Sequence, residues 1–180
     1  MPLLVLAVVS VLLAAAALSG PPARDVTFGV IDVEAGSVLA AYELASGEPI
    51  TLQHRHSVTR RMVRERFTLD ADGSIRLIDL WFDTHGPNLP AHADMLPEGA
   101  TLHIEDGGYR VVHTSTTMEL LPLLVGGDDV DHELVFADGT TVRLLAVARA
   151  GAALHLRSLE GGVSTTGGSE VVTREGVVTR

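Results

Sequence analysis

Short runs of alternating apolar and polar residues, separated by glycine-containing turns, recur about every ten residues between residues 26 and 159. A period of two places the apolar side chains on one face of an extended strand. The pattern therefore predicts an all-β domain, built as a single small β-sandwich or a partly open β-barrel.

The expected strands are residues 26–33, 37–44, 49–56, 58–69, 74–82, 101–105, 109–113, 132–136, 140–148 and 152–159. Asp106-Gly107-Gly108 indicates a tight hairpin, because its glycines supply positive φ angles. One or two turns of helix are the expectation for residues 117–125, where Pro122 limits the length of a helix. Residues 86–99 contain three prolines and form a long connection, which is typical of a functional loop.

The two ends of the chain differ from the middle. Residues 1–22 are an uncharged apolar run that ends in Pro21-Pro22, which predicts a helical signal peptide or membrane anchor. The all-β domain, residues 23–160, is then expected outside the cytoplasm, whether periplasmic, at the cell surface or secreted. Residues 161–180 are polar and rich in glycine, which predicts a flexible, disordered tail.

Charge is concentrated in one stretch. Residues 53–67 carry five arginines and one glutamate, a formal charge of +4 on a chain whose net charge is −10. The excess of 23 acidic over 13 basic residues argues against a nucleic-acid partner. Every basic side chain is arginine, whose planar fork suits carboxylates. The stretch therefore predicts binding of a small organic anion or of an acidic protein surface, with no cofactor implied.

Strand periodicity gives this stretch a geometry. It places His54 and His56 on the apolar face of one strand and Glu65 on the apolar face of the next. A buried carboxylate without a partner is costly, so we expect Glu65 to pair with His56, Arg55 or Arg61. Such a group is either a structural polar clamp or the floor of an anion-binding pocket.

The opposite face of the second strand is expected to carry Arg60, Arg64 and Arg66. These arginines either solubilise an exposed face or hold an anion between them. In a metal-assisted hydrolase, the alternative function, His54, His56, Asp83 and His85 would be the metal ligands, because each pair has the spacing of two ligands on one side of a strand.

Several of these residues form a recognisable pattern. It begins with His56-Ser57-Val58 and continues through Arg60, Val63, Glu65, Phe67, Phe82, Gly86, Leu89 and Pro90. In this pattern the chain resembles the family called domain of unknown function 1850. The resemblance extends over about residues 26–159 and includes His132-Glu133-Leu134.

The resemblance implies a small exported protein of a kind that is commonly encoded beside TRAP-type transporters with a TAXI-class substrate-binding protein. It suggests an accessory role in uptake, with a TAXI substrate-binding protein or TRAP membrane subunits as partners. A structural module of the cell envelope is a further alternative. The chain departs from the family pattern at His85, Pro87 and Asn88, and we expect Asn88 to take the left-handed conformation of the glycine it replaces. The candidate ligand-binding residues are His56, Ser57, Arg60, Arg64, Glu65, His85, Gly86 and Asn88.

Overall fold

The computed structural model describes residues 25–159, 172–173 and 176–177. The predicted signal or anchor segment and most of the predicted tail lie outside the described residues. Within them, the regular structure consists of β-strands and two 3₁₀ turns, Ala93–Met95 and Leu144–Ala146, so the all-β prediction is confirmed. No helix in this part of the chain has the length and apolar character needed to cross a membrane.

The alternating runs of the sequence form fourteen described strands. In chain order they are β1 (Asp25–Asp32), β2 (Val38–Ala45), β3 (Pro49–Arg55), β4 (Met62–Leu69), β5 (Ile75–Phe82), β6 (Ala100–Glu105), β7 (Gly108–His113), β8 (Thr117–Met118), β9 (Leu120–Leu124), β10 (Glu133–Phe136), β11 (Thr141–Arg143), β12 (Ala153–Leu159), β13 (Val172–Thr173) and β14 (Gly176–Val177).

In the described residues two large antiparallel sheets make up the domain, and β13 pairs with β14 in a separate two-stranded sheet. Of the two large sheets, the smaller has the order β2-β1-β12-β9, and the larger has the order β11-β10-β3-β4-β5-β7-β6 with β8 paired to β5. Phe28 of β1 packs on Phe67 of β4 and Phe136 of β10, with ring centroids 6.0 and 6.2 Å apart. These fully or nearly fully buried rings show that the sheets face each other as a β-sandwich.

The larger sheet extends beyond the smaller one, and the connection between β5 and β6 covers the excess. Leu89 of this connection is buried against Val63, Phe82 and Val111, and Leu96 packs against the same cluster. The predicted long loop therefore acts as a second layer, because the apolar face of β4, β5 and β7 would otherwise be exposed to water.

Three sequence predictions of secondary structure need correction. Residues 117–125 form β8 and β9 rather than a helix, and Pro122 is tolerated there because β9 is an edge strand. The strand predicted from residue 58 begins at Met62, since Arg60 adopts a left-handed turn conformation with φ of 59°. The strand predicted over residues 140–148 ends at Arg143, where a 3₁₀ turn begins.

Candidate functional site

His56 follows β3 and its ring connects two loops. Its Nδ1 accepts hydrogen bonds from the amides of Val58 and Thr59, at 3.1 and 3.3 Å, and its Nε2 lies 2.8 Å from the carbonyl oxygen of Pro87. Because Nδ1 accepts from amides, the proton resides on Nε2, which donates to Pro87. Both ring nitrogens are engaged, so the predicted pairing of His56 with Glu65 is wrong.

Gly86 and Asn88 allow the second loop to approach this ring. A Cβ atom at Gly86 would lie 3.0 Å from Cε1 of His56 and 3.0 Å from Cγ2 of Thr59, closer than ordinary packing allows. Asn88 has φ of 66°, which confirms the left-handed conformation expected for it. We call His56, Gly86 and Pro87 the loop clamp; it joins two loops and does not include Glu65, which the sequence placed in a clamp with His56.

Other predicted site residues lie apart from one another. Ser57 is exposed at the tip of the turn after His56. The ring of His85 packs at 3.9 Å, between ring centroids, on Tyr109. Arg60 forms an ion pair with Asp129 and lies outside the strand that was predicted to carry it.

The outer face of the larger sheet gathers three arginines around one buried carboxylate. Arg66 Nε donates to Asp79 Oδ1 at 2.9 Å, and Arg110 Nη1 donates to Asp79 Oδ2 at 3.0 Å. Arg64 lies over the indole ring of Trp81, with its Cζ 5.0 Å from the ring centroid. We call these five residues the arginine cluster.

Strand register produces the arginine cluster. Arg64 is opposite Trp81 and Arg66 is opposite Asp79 in the β4–β5 pair, while Arg110 is opposite Trp81 in the β5–β7 pair. Side chains on directly opposite residues of antiparallel strands point to the same face. The cluster lines a shallow depression of about 130 Å³ together with Thr51.

Asp79 fixes two of the three guanidinium groups. Asp79 is only 3% exposed. Burial alone would raise the pKa of Asp79, but the hydrogen bonds and charges of Arg66 and Arg110 outweigh burial and lower that pKa below its usual value. The carboxylate is therefore ionised at neutral pH and holds both arginines in place.

Arg64 differs from its neighbours in the arginine cluster. Among the described residues no carboxylate pairs with Arg64, whereas Arg110 also donates to Glu105 at 2.7 Å. The cluster and Glu105 together hold three guanidinium groups against two carboxylates, a net charge of +1. The fork of Arg64 is thus available to an external anion.

Glu65 lies on the inner face of β4, as the alternation predicts. It is opposite Leu52 of β3 and Leu80 of β5, which belong to different hydrophobic clusters. In the described part of the chain it forms no hydrogen bond or ion pair, so the predicted partners are wrong; Arg61, for example, pairs instead with Asp83 at 2.6 Å. Burial raises the pKa of Glu65.

A pair of imidazoles lies at the end of β3. The ring centroids of His54 and His132 are 4.7 Å apart. Burial, with the neighbouring His132 and His56, lowers the pKa of His54 to about 4. No three His, Asp or Glu side chains within the described ranges gather in a way that could hold a metal ion, so His54, His56, Asp83 and His85 do not form the metal site considered from the sequence.

Sequence reasoning identified Arg64 but missed Asp79, Trp81 and Arg110. The spacing of Asp79 and Trp81 places them on one face of β5, and that spacing was the available signal. The position of Arg110 beside them depends on the pairing of β5 with β7, which the local pattern does not specify.

The fold and the site define an all-β sandwich domain with an exposed arginine cluster on its larger sheet. The chain belongs to the family described as Domain of unknown function (DUF1850), whose model matches residues 50–144. This match is narrower than the resemblance over residues 26–159, and it spans the strands of the larger sheet. Comparisons with curated proteins and with solved structures found no match.

Proposed function

We propose that this protein is an extracytoplasmic accessory domain that binds a small organic anion at the arginine cluster and serves TAXI-type TRAP uptake. The observation that carries the proposal is the position of Arg64, which lies over Trp81 and has no carboxylate partner among the described residues. Export is supported by the apolar character of residues 1–22, and the link to TRAP transport by the resemblance of the family pattern.

The chemistry of the arginine cluster suits a carboxylate attached to an apolar group. A carboxylate can accept two parallel hydrogen bonds from the fork of Arg64. The indole ring of Trp81, on which Arg64 rests, adds apolar surface to the lining of the depression, and Arg66 and Arg110 add positive charge without being free to turn away. A net charge of +1 matches a monoanion better than a dianion.

Calorimetric titration of the full chain in mild detergent tests this proposal, with benzoate, succinate and phosphate as probes. We expect benzoate to bind most tightly, and Arg64→Gln to weaken its binding by about tenfold, which corresponds to about 1.4 kcal/mol. Arg149→Gln is the matched control, since Arg149 is an exposed arginine paired with Glu34. Binding of none of the three probes, or equal losses in both variants, would exclude the arginine cluster as the site.

The same cluster also fits an acidic surface on a protein partner. The partner expected from the family resemblance is a TAXI substrate-binding protein or a TRAP membrane subunit. Co-purification from native membranes, followed by mass spectrometry, tests this association. We expect such a component to be recovered with the wild-type protein and depleted with Arg64→Gln. Its absence from both preparations would count against the transport role while leaving anion binding to the calorimetric test.

A further inference from the structure

β6 forms one edge of the larger sheet, with β7 as its only described neighbour. The amide of Thr114 donates to the carbonyl of Gly99 at 2.9 Å, which marks residues 99 and 114 as a hydrogen-bonded pair. Such pairs alternate along an antiparallel ladder, so the backbone amides and carbonyls of residues 101, 103 and 105 bond to β7. The backbone amides and carbonyls of Ala100, Leu102 and Ile104 point away from β7. The amide of Ala100 accordingly donates outward, to Pro97.

The outward groups of Leu102 and Ile104 have no backbone partner within the described residues. Ile104 is 82% exposed and lies on the same face as Leu102. Natural edge strands are usually protected by charges, proline, bulges or a covering segment. Between residues 100 and 104, β6 has none of the first three, and its exposed apolar residue makes it a site for strand addition.

The other described edges are less suited to pairing. β9 contains Pro122, which lacks an amide hydrogen, and β11 is only three residues long. β2 pairs irregularly with β1 between Val30 and Ile31 and carries the exposed charge of Glu43, and β13 lies close to it without joining its sheet. β6 is therefore the edge at which another strand can add with least obstruction.

We propose that β6 pairs antiparallel with β6 of a second copy of this chain, centred on Leu102, so that the larger sheet continues across a two-fold axis. In this register Leu102 faces its own counterpart, and Ala100 faces Ile104 of the second copy. A small side chain is thus opposite a large one on the inner face. The outward groups that lack partners then bond to each other, with the Ile104 amide donating to the carbonyl of Ala100 in the other copy.

The geometry of the paired strands predicts how tightly the dimer associates and how far apart its two arginine clusters lie. Two six-residue strands bury little surface, so the association is weak and depends on concentration. Glu98 and Asp106 of opposite copies approach at the ends of the paired strands, so added salt should strengthen the dimer. Both arginine clusters lie on the same face of the continuous sheet, about 24 Å apart if five strand spacings separate the two copies of β5.

Engineered cysteines test the register, since the native chain contains no cysteine. In the proposed pairing Thr101 of one copy is opposite His103 of the other, at the close spacing of a pair that is not hydrogen-bonded. The double variant Thr101→Cys/His103→Cys should form a disulfide-linked dimer at least about tenfold faster than either single variant, as seen on non-reducing gels. Equal rates for the double and single variants would overturn the proposal.

Two further substitutions distinguish dimerisation through β6 from association through other surfaces of the protein. Ile104→Lys, added to the double-cysteine chain, should abolish cross-linking, because a charge would be placed within the paired edge. Leu124→Lys is the matched control, since Leu124 is 66% exposed on the edge strand β9. Loss of cross-linking with Leu124→Lys but not with Ile104→Lys would contradict pairing through β6. Association through residues 1–22 would not reproduce the register-specific disulfide.

Discussion

Glu65 is an ionisable residue among apolar side chains. Its side chain lies between Leu52 and Leu80 on the inner face of the larger sheet, where the two hydrophobic clusters meet. A carboxyl in this position favours its neutral form, because the carboxylate has lost water without gaining a partner among the described residues. The free energy of unfolding should therefore depend on the protonation of this one side chain.

Glu65→Gln should stabilise the protein at neutral pH by about 1 kcal/mol. The pKa of Glu65 is raised in the folded protein above its ordinary value of 4.5, so the folded state keeps a proton that the unfolded state loses. The contribution of Glu65 to stability is consequently lost as pH rises from about 4.5 towards its folded pKa. Urea unfolding at pH 4 and pH 7 measures the free energy of unfolding of both proteins. The extra stability of Glu65→Gln over the wild type should be smaller at pH 4 than at pH 7.

Glu43→Gln is the matched control, because Glu43 lies on the exposed face of β2. Equal effects of the two substitutions at both pH values would show that Glu65 is not the group responsible.

His54 produces a pH dependence of opposite sign. Its pKa falls to about 4 in the folded protein from the usual 6.5, so the unfolded chain binds the additional proton between these values. The contribution of His54 to stability should rise as pH increases from 4 to 6.5, and His54→Phe should remove this contribution, a change of up to about 3 kcal/mol. Burial also lowers the pKa of His132 and contributes in the same direction. Unfolding curves across this pH range, with His92→Phe as the exposed control, provide the measurement; an unchanged slope in His54→Phe would contradict the assignment.

The loop clamp joins the β3–β4 turn to the connection between β5 and β6. His56 binds within its own turn and to Pro87, and the absence of a side chain at Gly86 lets the two loops meet. The connection that starts there carries Leu89 into the second hydrophobic cluster. The clamp thus positions the cover over the inner face of β4, β5 and β7.

Gly86→Ala should destabilise the protein by about 1–3 kcal/mol, because its methyl group would overlap the His56 ring. A double-mutant cycle with His56→Ala tests the cause. Once the ring is removed, the added methyl group should cost less, because only its close contact with Thr59 remains, so the two substitutions should be non-additive. Strictly additive values in thermal or urea unfolding would show that the cost arises elsewhere.

Asp79 connects β4, β5 and β7 across the outer face. Asp79→Asn should cost about 2–3 kcal/mol, because Arg66 and Arg110 would lose the carboxylate that they share. Asp70→Asn, which removes the partner of Arg76 at a more exposed site, should cost less than about 1 kcal/mol. Urea unfolding of both variants gives the comparison. A cost for Asp79→Asn no greater than that for Asp70→Asn would mean that the shared carboxylate does not anchor the cluster.

The faces of the strands were predictable from the sequence, whereas contacts across strands were not. Alternation placed Glu65 inward and Arg64 outward, because a strand has a period of two. The irregular pairing between Arg66 and Phe67 and the turn at Arg60 depend on tertiary context. The local sequence pattern also does not predict which residues lie beside Arg110, because its neighbours are set by the pairing of β7 with β5.

For the whole molecule, the arginine-rich stretch is less basic than its sequence suggests. Arg60, Arg61 and Arg66 each pair with an acidic residue from outside the stretch. The remaining positive potential is local, on a chain whose net charge is −10. The arginine cluster therefore attracts an anion only over a short range. Screening at about 0.15 M salt reduces the longer-range repulsion between the anion and the net negative charge of the chain.

Trp81 is the only tryptophan of the chain, so its fluorescence reports directly on the arginine cluster. Titration of the full chain with benzoate should change this fluorescence to saturation, and Arg64→Gln should shift the midpoint to about tenfold higher concentration while Arg149→Gln leaves it in place. A linear, non-saturating change that is identical in all three proteins would contradict the claim that the cluster binds an organic anion.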